Sequence, residues 1–250
     1  MGKIVTSTAL QEALEVTSYD VYQYLRRGLP QADAHPGMYD LQEASEWIRG
    51  FARREEKRER IKQDLLNQLT EEEAEIINAP KWDAQYAVVW GMTSKRQALA
   101  IQRAIYLMVQ YSTSRGDNLV YLSATTQQAR EIQGIIDEHL GELARGFRAL
   151  TIQEIVREIA PEASIEEGIH LLENKPALQE QYGLIYRTWI VEEFERFTFE
   201  ERRLFEVLTT HYGEYMVNVD KQAVEKQSAL REWMTSLEKK IGAGNYFLIE

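Results

Sequence analysis

The residues whose types and spacing best suit chemistry are Gly91, Ser94 and Lys95, which follow the apolar run Tyr86-Ala87-Val88-Val89-Trp90 and precede a helical pattern. Strand, glycine, short loop, lysine and helix is the layout of a phosphate-binding loop, in which backbone N–H groups and a lysine cradle the phosphates. Two parts of that chemistry are missing. A full loop has a second glycine, so that the backbone can wrap the phosphates, and a Ser or Thr directly after the lysine to hold magnesium. Here the loop is one residue short and Arg96 follows Lys95. Whether Arg96 reaches back to replace the lost magnesium charge is left open by the sequence. A second polar group, Glu192-Glu193 with Glu195, follows the run Trp189-Ile190-Val191. Taken alone, it suits a helix start, where carboxylates favour the dipole. The chain has no cysteine, which removes thiolate zinc sites and cysteine nucleophiles. Its four histidines, His35, His139, His170 and His211, show no ligand spacing, so no metal site is expected.

The other chemistry on offer is charge. The net charge is −11, yet residues 1–62 hold ten basic and ten acidic residues, so the excess of acid lies wholly beyond them. Sequence-independent DNA affinity comes mainly from Lys and Arg meeting phosphates, so any DNA contact is expected to be local and N-terminal. Residues 49–62 are the most basic stretch, with seven basic residues, among them Arg53 and Arg54, against Glu55, Glu56 and Glu59. No apolar residue lies between Arg53 and Arg60, which reads as a solvated linker helix that also offers phosphate contacts.

The elements that must position these groups follow from apolar spacing. Leu10, Leu14 and Val16 mark one short helix, Val21, Tyr22 and Leu25 a second, and Leu41, Ala44, Trp47 and Ile48 a third. Thr17 or Ser18 can cap the second helix, with Asp20 in its first turn, and Gly28-Leu29-Pro30 stops it beyond Arg26 and Arg27. Residues 31–39, with Pro36 and Gly37, suit a β-wing. In the larger part, an apolar run ending at Trp90, a helix over 97–111, a strand over 118–123 and a helix from Thr125 alternate as in a parallel sheet with helices on both faces. Leu230, Trp233, Met234 and Leu237 give a last helix that caps the sheet or docks a partner. There is no apolar run of eighteen residues and no signal-like N-terminus, so a cytoplasmic chain without a membrane partner is expected.

Two resemblances add to this reading. Residues 6–50, through Ala9 to Leu14, Val21 to Pro30 and Tyr39-Asp40-Leu41 to Trp47, resemble the winged helix-turn-helix of excisionase and MerR-like proteins and of lambda-type small terminase subunits. The resemblance implies that Thr17, Ser18, Tyr19, Tyr22, Gln23, Arg26 and Arg27 face double-stranded DNA. Residues 69–224 resemble the first RecA-like lobe of UvrD/PcrA-type superfamily 1 helicases. The landmarks, in order, are Leu69-Thr70 with Glu73, Gly91 to Lys95, Leu122 to Ala129, Leu150 to Ile155, Trp189 to Phe197 and Met216 to Val224. The resemblance implies nucleotide contacts from Gly91, Ser94, Lys95 and Gln222, and catalytic roles for Lys95, Glu192 and Glu193 were the site active. The departures fall on the chemistry. Glu73 replaces the adenine-reading Gln, and Glu192 replaces the magnesium-holding Asp, while Glu193 stands where the water-activating Glu would be.

The expected organisation is a winged helix-turn-helix over 1–50, a charged helical linker over 51–68 and a degenerate RecA-like α/β lobe over 69–250. Residues 225–250 are too few for a second lobe, and 164–181 too few for an inserted DNA-gripping subdomain, so autonomous unwinding is not expected. The leading expectation is a noncatalytic DNA-associated protein without cofactor, whose lobe serves as a scaffold for an unidentified protein partner. The N-terminal resemblance suggests a phage or mobile-element setting. The alternatives are a partner-dependent ATPase using ATP and magnesium and an acidic inhibitor of a host helicase or nuclease. A homodimer through residues 49–69 is left open.

Overall fold

The computed structural model describes residues 3–32, 37–79, 85–91, 94–111, 119–210 and 213–249. Contacts divide the chain into two units: residues 1–68 with 107–116, and residues 69–106 with 117–250. Among the described residues no helix is long and apolar enough to cross a membrane.

The first unit runs β1 (Ile4–Thr6), α1 (Ser7–Leu14), α2 (Ser18–Arg26), β2 (Met38–Asp40), α3 (Leu41–Arg49) and α4 (Phe51–Leu66). Each of the first three helices starts on a side-chain cap. Thr6 accepts from the Ala9 amide, Thr17 forms a reciprocal capping box with Asp20, and Asp40 accepts from the Gln42 and Glu43 amides. Leu10, Val21, Leu29, Tyr39, Ala44 and Val5 form its core. Strand β1 is a finding beyond the sequence reading, which began the chain's order with a helix. It pairs antiparallel with β2, placing Val5 opposite Tyr39. Three residues are too few to display a period-2 pattern. The stretch assigned to a wing includes residues 33–36, which lie outside the described residues.

Helix α4 corrects the reading of a solvated linker. Arg54 and Arg58 are buried despite the lack of apolar neighbours. The Arg54 guanidinium lies 4.2 Å over the Trp47 ring and donates to the Trp47 carbonyl. Gly50 leaves it room, since an added Cβ would come 2.5 Å from Nη1. Arg58 donates to the carbonyls of Met108, at 2.7 Å, and Val109, residues counted with this unit. Long cationic stems can pack as apolar surface, which an apolar-spacing rule does not register.

The second unit contains α5 (Glu71–Asn78), β3 (Gln85–Trp90), most of α6 (Arg96–Gln110, counted with the first unit from Leu107 on), β4 (Leu119–Leu122), α7 (Thr126–Leu140), β5 (Phe147–Leu150), α8 (Ile152–Ile159), α9 (Ile165–Asn174) and α10 (Pro176–Ile185). It continues with β6 (Thr188–Val191), α11 (Phe199–Thr209), β7 (Glu214–Asp220), α12 (Lys221–Lys226), α13 (Ser228–Ile241) and β8 (Tyr246–Ile249). The strands form a six-stranded, wholly parallel sheet in the order β5-β4-β6-β7-β3-β8, flanked by helices. This is the α/β architecture expected from the alternation of elements. Expected Asn118 and the loop residues Met92 and Thr93 lie outside the described residues.

Alternate residues sort to the two faces, as the pleat requires. Val89, Val120, Leu122, Trp189, Val191, Val217 and Val219 share a core with α8, α9, α11 and α13. Trp90, Tyr121 and Asn218 alternate with that set and so belong to the other face. Leu230, Met234 and Leu237 are buried in the first of these cores, so α13 closes the sheet rather than standing free for a partner. Strand β8 was not anticipated, because Tyr246 to Ile249 carries no breaker signal before it except Gly242 and Gly244. It completes one edge by pairing with β3.

Candidate functional site

A parallel sheet sets all its carboxyl ends on one rim, the usual place for ligands in such folds. Register fixes which residues meet there: Leu122 is level with Val191, Val191 with Val217, and Trp90 with Asp220. Gly91, Ser123, Glu192 and Lys221 therefore follow directly after the ladder. The Glu192 amide continues it by donating to the Leu122 carbonyl at 3.0 Å, and Gly91 donates to the Ile249 carbonyl at 2.6 Å.

The loop lysine points away from this rim chemistry. Ser94 and Lys95 are exposed. Lys95 Nζ pairs with Glu73 Oε1 at 2.8 Å. Glu73 is also the third residue of the α5 capping box, where its Oε2 accepts from the Thr70 amide at 2.9 Å. The hydrogen bond from Lys95, and then that from Thr70, holds the Glu73 carboxyl below its ordinary range. Lys95 and Glu73 thus satisfy each other.

The inward place is taken by Arg96, the first residue of α6, which is 6% exposed. Each of its three nitrogens meets a different carboxylate. Nε lies 2.7 Å from Glu192, Nη1 2.9 Å from Glu195 and Nη2 3.4 Å from Glu193. Burial works against its charge, but Glu192, Glu195 and Glu193 together hold it more firmly protonated than an ordinary arginine. The planar guanidinium spreads these donors over three separate nitrogens, whereas a lysine gathers its charge at a single point.

Each carboxylate is held from a further element. Glu192, 3% exposed, accepts from the Tyr121 hydroxyl of β4 at 3.0 Å. Its burial outweighs the pull of Arg96 and pushes the carboxyl up to about 7, and burial beside this carboxylate raises the Tyr121 phenol well above its usual value. Glu193 sits in the left-handed region, at φ 49° and ψ 43°, where non-glycine residues are uncommon. It accepts from Gln128 Nε2 of α7 at 2.9 Å and from Arg196 Nη1 at 2.7 Å. Burial opposes its charge, yet these bonds hold the carboxyl below the ordinary value. Glu195 accepts from the Asp220 amide at 3.3 Å, at the end of β7. Beside the cluster, buried Asn218 accepts from Trp90 Nε1 at 3.1 Å and donates to the Val191 carbonyl at 3.2 Å.

The structure therefore brings together residues 96, 121, 128, 192, 193, 195 and 196. It does not bring Lys95 or Gln222 into this group. Gln222 is exposed on α12, with Lys226 Nζ 3.5 Å from its Oε1. Asp220 is occupied as the cap of α12, accepting from the Ala223 amide at 2.8 Å. Sequence reasoning missed Tyr121 and the cluster role of Glu195. The pleat places Tyr121 on the face of Glu192, and that alternation was the signal to use.

Magnesium and a nucleotide do not fit this arrangement. The carboxylates that would hold the metal already surround a guanidinium, and the lysine that would meet phosphate is bonded to Glu73. Among the described residues, no group of three or more histidine or acidic side chains is arranged to hold a metal ion.

In the first unit, Tyr19 and Tyr22 are 67% and 53% exposed on α2, and Arg26 lies 5.9 Å over the Tyr22 ring. Thr17 and Ser18 are exposed at its N-terminus and Gln23 is half-buried. Residues 19, 22, 23 and 26 share one helical face. Two of the arginines assigned to DNA are committed elsewhere. Arg27 pairs with Glu55 at 3.1 Å and donates to the Gln110 carbonyl, and Arg54 is buried on Trp47. Arg53 is exposed on α4.

Fold and site together define a parallel α/β unit that carries a buried ion cluster at the carboxyl ends of its strands. The chain matches no known family model and no curated protein.

Proposed function

We propose that this is a noncatalytic DNA-associated protein, in which a winged helix-turn-helix binds double-stranded DNA and a degenerate RecA-like lobe serves as a protein scaffold. The observation that carries the noncatalytic reading is the double diversion at the start of α6: Lys95 turned out to Glu73 and Arg96 turned in to Glu192, Glu193 and Glu195. A wholly parallel six-stranded sheet flanked by helices is what a RecA-like lobe requires. The DNA reading is supported by the outward face of α2, where Tyr19, Tyr22 and Arg26 offer two rings and one cation at groove-reading spacing. The acidic excess beyond residue 62 favours a basic protein surface over nucleic acid as the partner of the lobe. A phage or mobile-element setting rests on the N-terminal resemblance alone.

Fluorescence anisotropy of a labelled mixed-sequence duplex with the full chain tests the DNA reading. Wild type binds with a strong salt dependence. Tyr22→Ala/Arg26→Ala binds more weakly at every salt, with a log–log salt slope reduced by about 1 for one lost phosphate contact. Absence of salt-dependent binding by wild type, or equal affinity in the variant, contradicts the proposal.

A further inference from the structure

Three carboxylates from two adjoining segments converge where one buried guanidinium stands. The end of β6 brings Glu192 and Glu193, the 3₁₀ turn Phe194–Arg196 brings Glu195, and the first residue of α6 brings the cation. Without that cation, Glu192 would be a charge 3% exposed with, among the described residues, only the Tyr121 hydroxyl to accept from. Arg196 reaches Glu193 from its exposed side but is not paired with Glu192 or Glu195. Glu192 and Glu195 thus depend on Arg96 for compensation, and removing one partner of a buried ion network leaves a desolvated charge behind.

We infer that Arg96 is a tethered cation, supplying from within the chain the positive charge that a phosphate-binding lobe takes from a bound metal. It pins α6, the end of β6 and the turn after it in one arrangement that neither magnesium nor nucleotide alters. This rests on the reading of the second unit as a degenerate RecA-like lobe. The pinning extends further, because Glu193 is bonded to Gln128 in α7 and Glu195 to the Asp220 amide that precedes α12. These segments fall within the landmarks Leu122 to Ala129, Trp189 to Phe197 and Met216 to Val224. Joined through a covalently held cation, they form a rim with no ligand-dependent state, which is the property a constant docking scaffold needs. A free divalent ion would meet Arg96 as a like charge, and a triphosphate would meet three carboxylates.

The test combines nucleotide binding with charge rescue in the full chain. Calorimetric titration of wild type with magnesium and ATP is expected to give no saturable heat, and the melting temperature is expected to be the same with magnesium–ATP as with chelator. Arg96→Met is expected to lower the melting temperature clearly, and adding Glu192→Gln to that variant is expected to raise it again, by more than Glu192→Gln changes wild type. A purely steric role for Arg96 predicts no such rescue, and that outcome overturns the inference. So does saturable, magnesium-dependent ATP binding by wild type. Where Arg96→Met does not fold, the double variant, which removes one charge of each sign, is expected to fold, and its failure to do so also overturns the inference. Duplex binding measured on the same samples tests the first unit separately: its absence leaves the tethered cation standing, while magnesium–ATP binding leaves the duplex result untouched.

Discussion

Replacing Glu192 with Gln should change how stability depends on pH, and the structure fixes both sign and size. Burial raises the Glu192 carboxyl from an ordinary 4.5 to about 7. A group whose pKa is raised in the folded state binds its proton more tightly there than in the unfolded chain. Its contribution to stability is therefore fully present below about pH 4.5 and is lost as pH rises through about 7. With about 1.4 kcal/mol per pKa unit, this shift corresponds to about 3 kcal/mol lost across that window. Glu192→Gln keeps an acceptor for Arg96 Nε and can turn its amide toward the Tyr121 oxygen, yet it cannot titrate. Urea denaturation of wild type and variant at a series of pH values isolates the effect as the difference between their unfolding free energies. That difference should move by about 3 kcal/mol in favour of the variant from about pH 4.5 to about pH 8, most steeply between them. A difference that stays flat would mean that Arg96 keeps Glu192 ionised throughout, and the balance argued here between burial and ion pairing would be wrong.

Gly213→Ala should destabilise the second unit by about 1–3 kcal/mol through forced displacement, because the added Cβ meets the Thr209 Cβ at 2.3 Å and its backbone oxygen at 2.8 Å; an unchanged melting temperature would refute it. Arg54→Ala should cost about 1–2 kcal/mol, from loss of the guanidinium over Trp47 and its bond to the Trp47 carbonyl. A loss of Trp47 protection in fluorescence quenching should accompany it, and Arg54→Lys should restore little, since the stacked plane is lost.

How much of this was legible in the sequence depends on what each residue does for its neighbours. The parallel α/β class was readable from alternating runs such as Tyr86 to Trp90 and Trp189 to Val191, because strands buried on both faces are apolar along their whole length. Helices α1 to α3 were readable from apolar spacing and from Thr17 with Asp20 at a cap. Strand β1 was not, since Ile4-Val5-Thr6 gains its meaning only from a partner more than thirty residues away. The buried Arg54 and Arg58 of α4 were hidden for a different reason: a charged residue registers as exposed until the ring or carbonyl that receives it is known. The landmark residues Thr70, Glu73, Thr151 and Glu154 also serve in capping boxes, so part of what resembled a nucleotide motif also does helix-end work.

The central exchange at the candidate site lies between two adjacent residues. Of these two adjacent side chains, Lys95 is exposed and only Arg96 is buried at the rim. In a working phosphate loop the lysine enters and a hydroxyl follows it. Here the lysine turns outward and the residue after it is a buried arginine, and each side chain has its own partner: Glu73 for Lys95 outside, and the three carboxylates for Arg96 inside. The two pairings are not equal in weight. Lys95 is 69% exposed in its side chain, and such a surface pair is worth at most about 1 kcal/mol, whereas Arg96 and Glu192 are almost wholly buried. Freeing Lys95 from Glu73 would therefore cost little and would not reopen the rim. On the function proposed above, it is Arg96, not Lys95, that decides whether this unit can take a nucleotide.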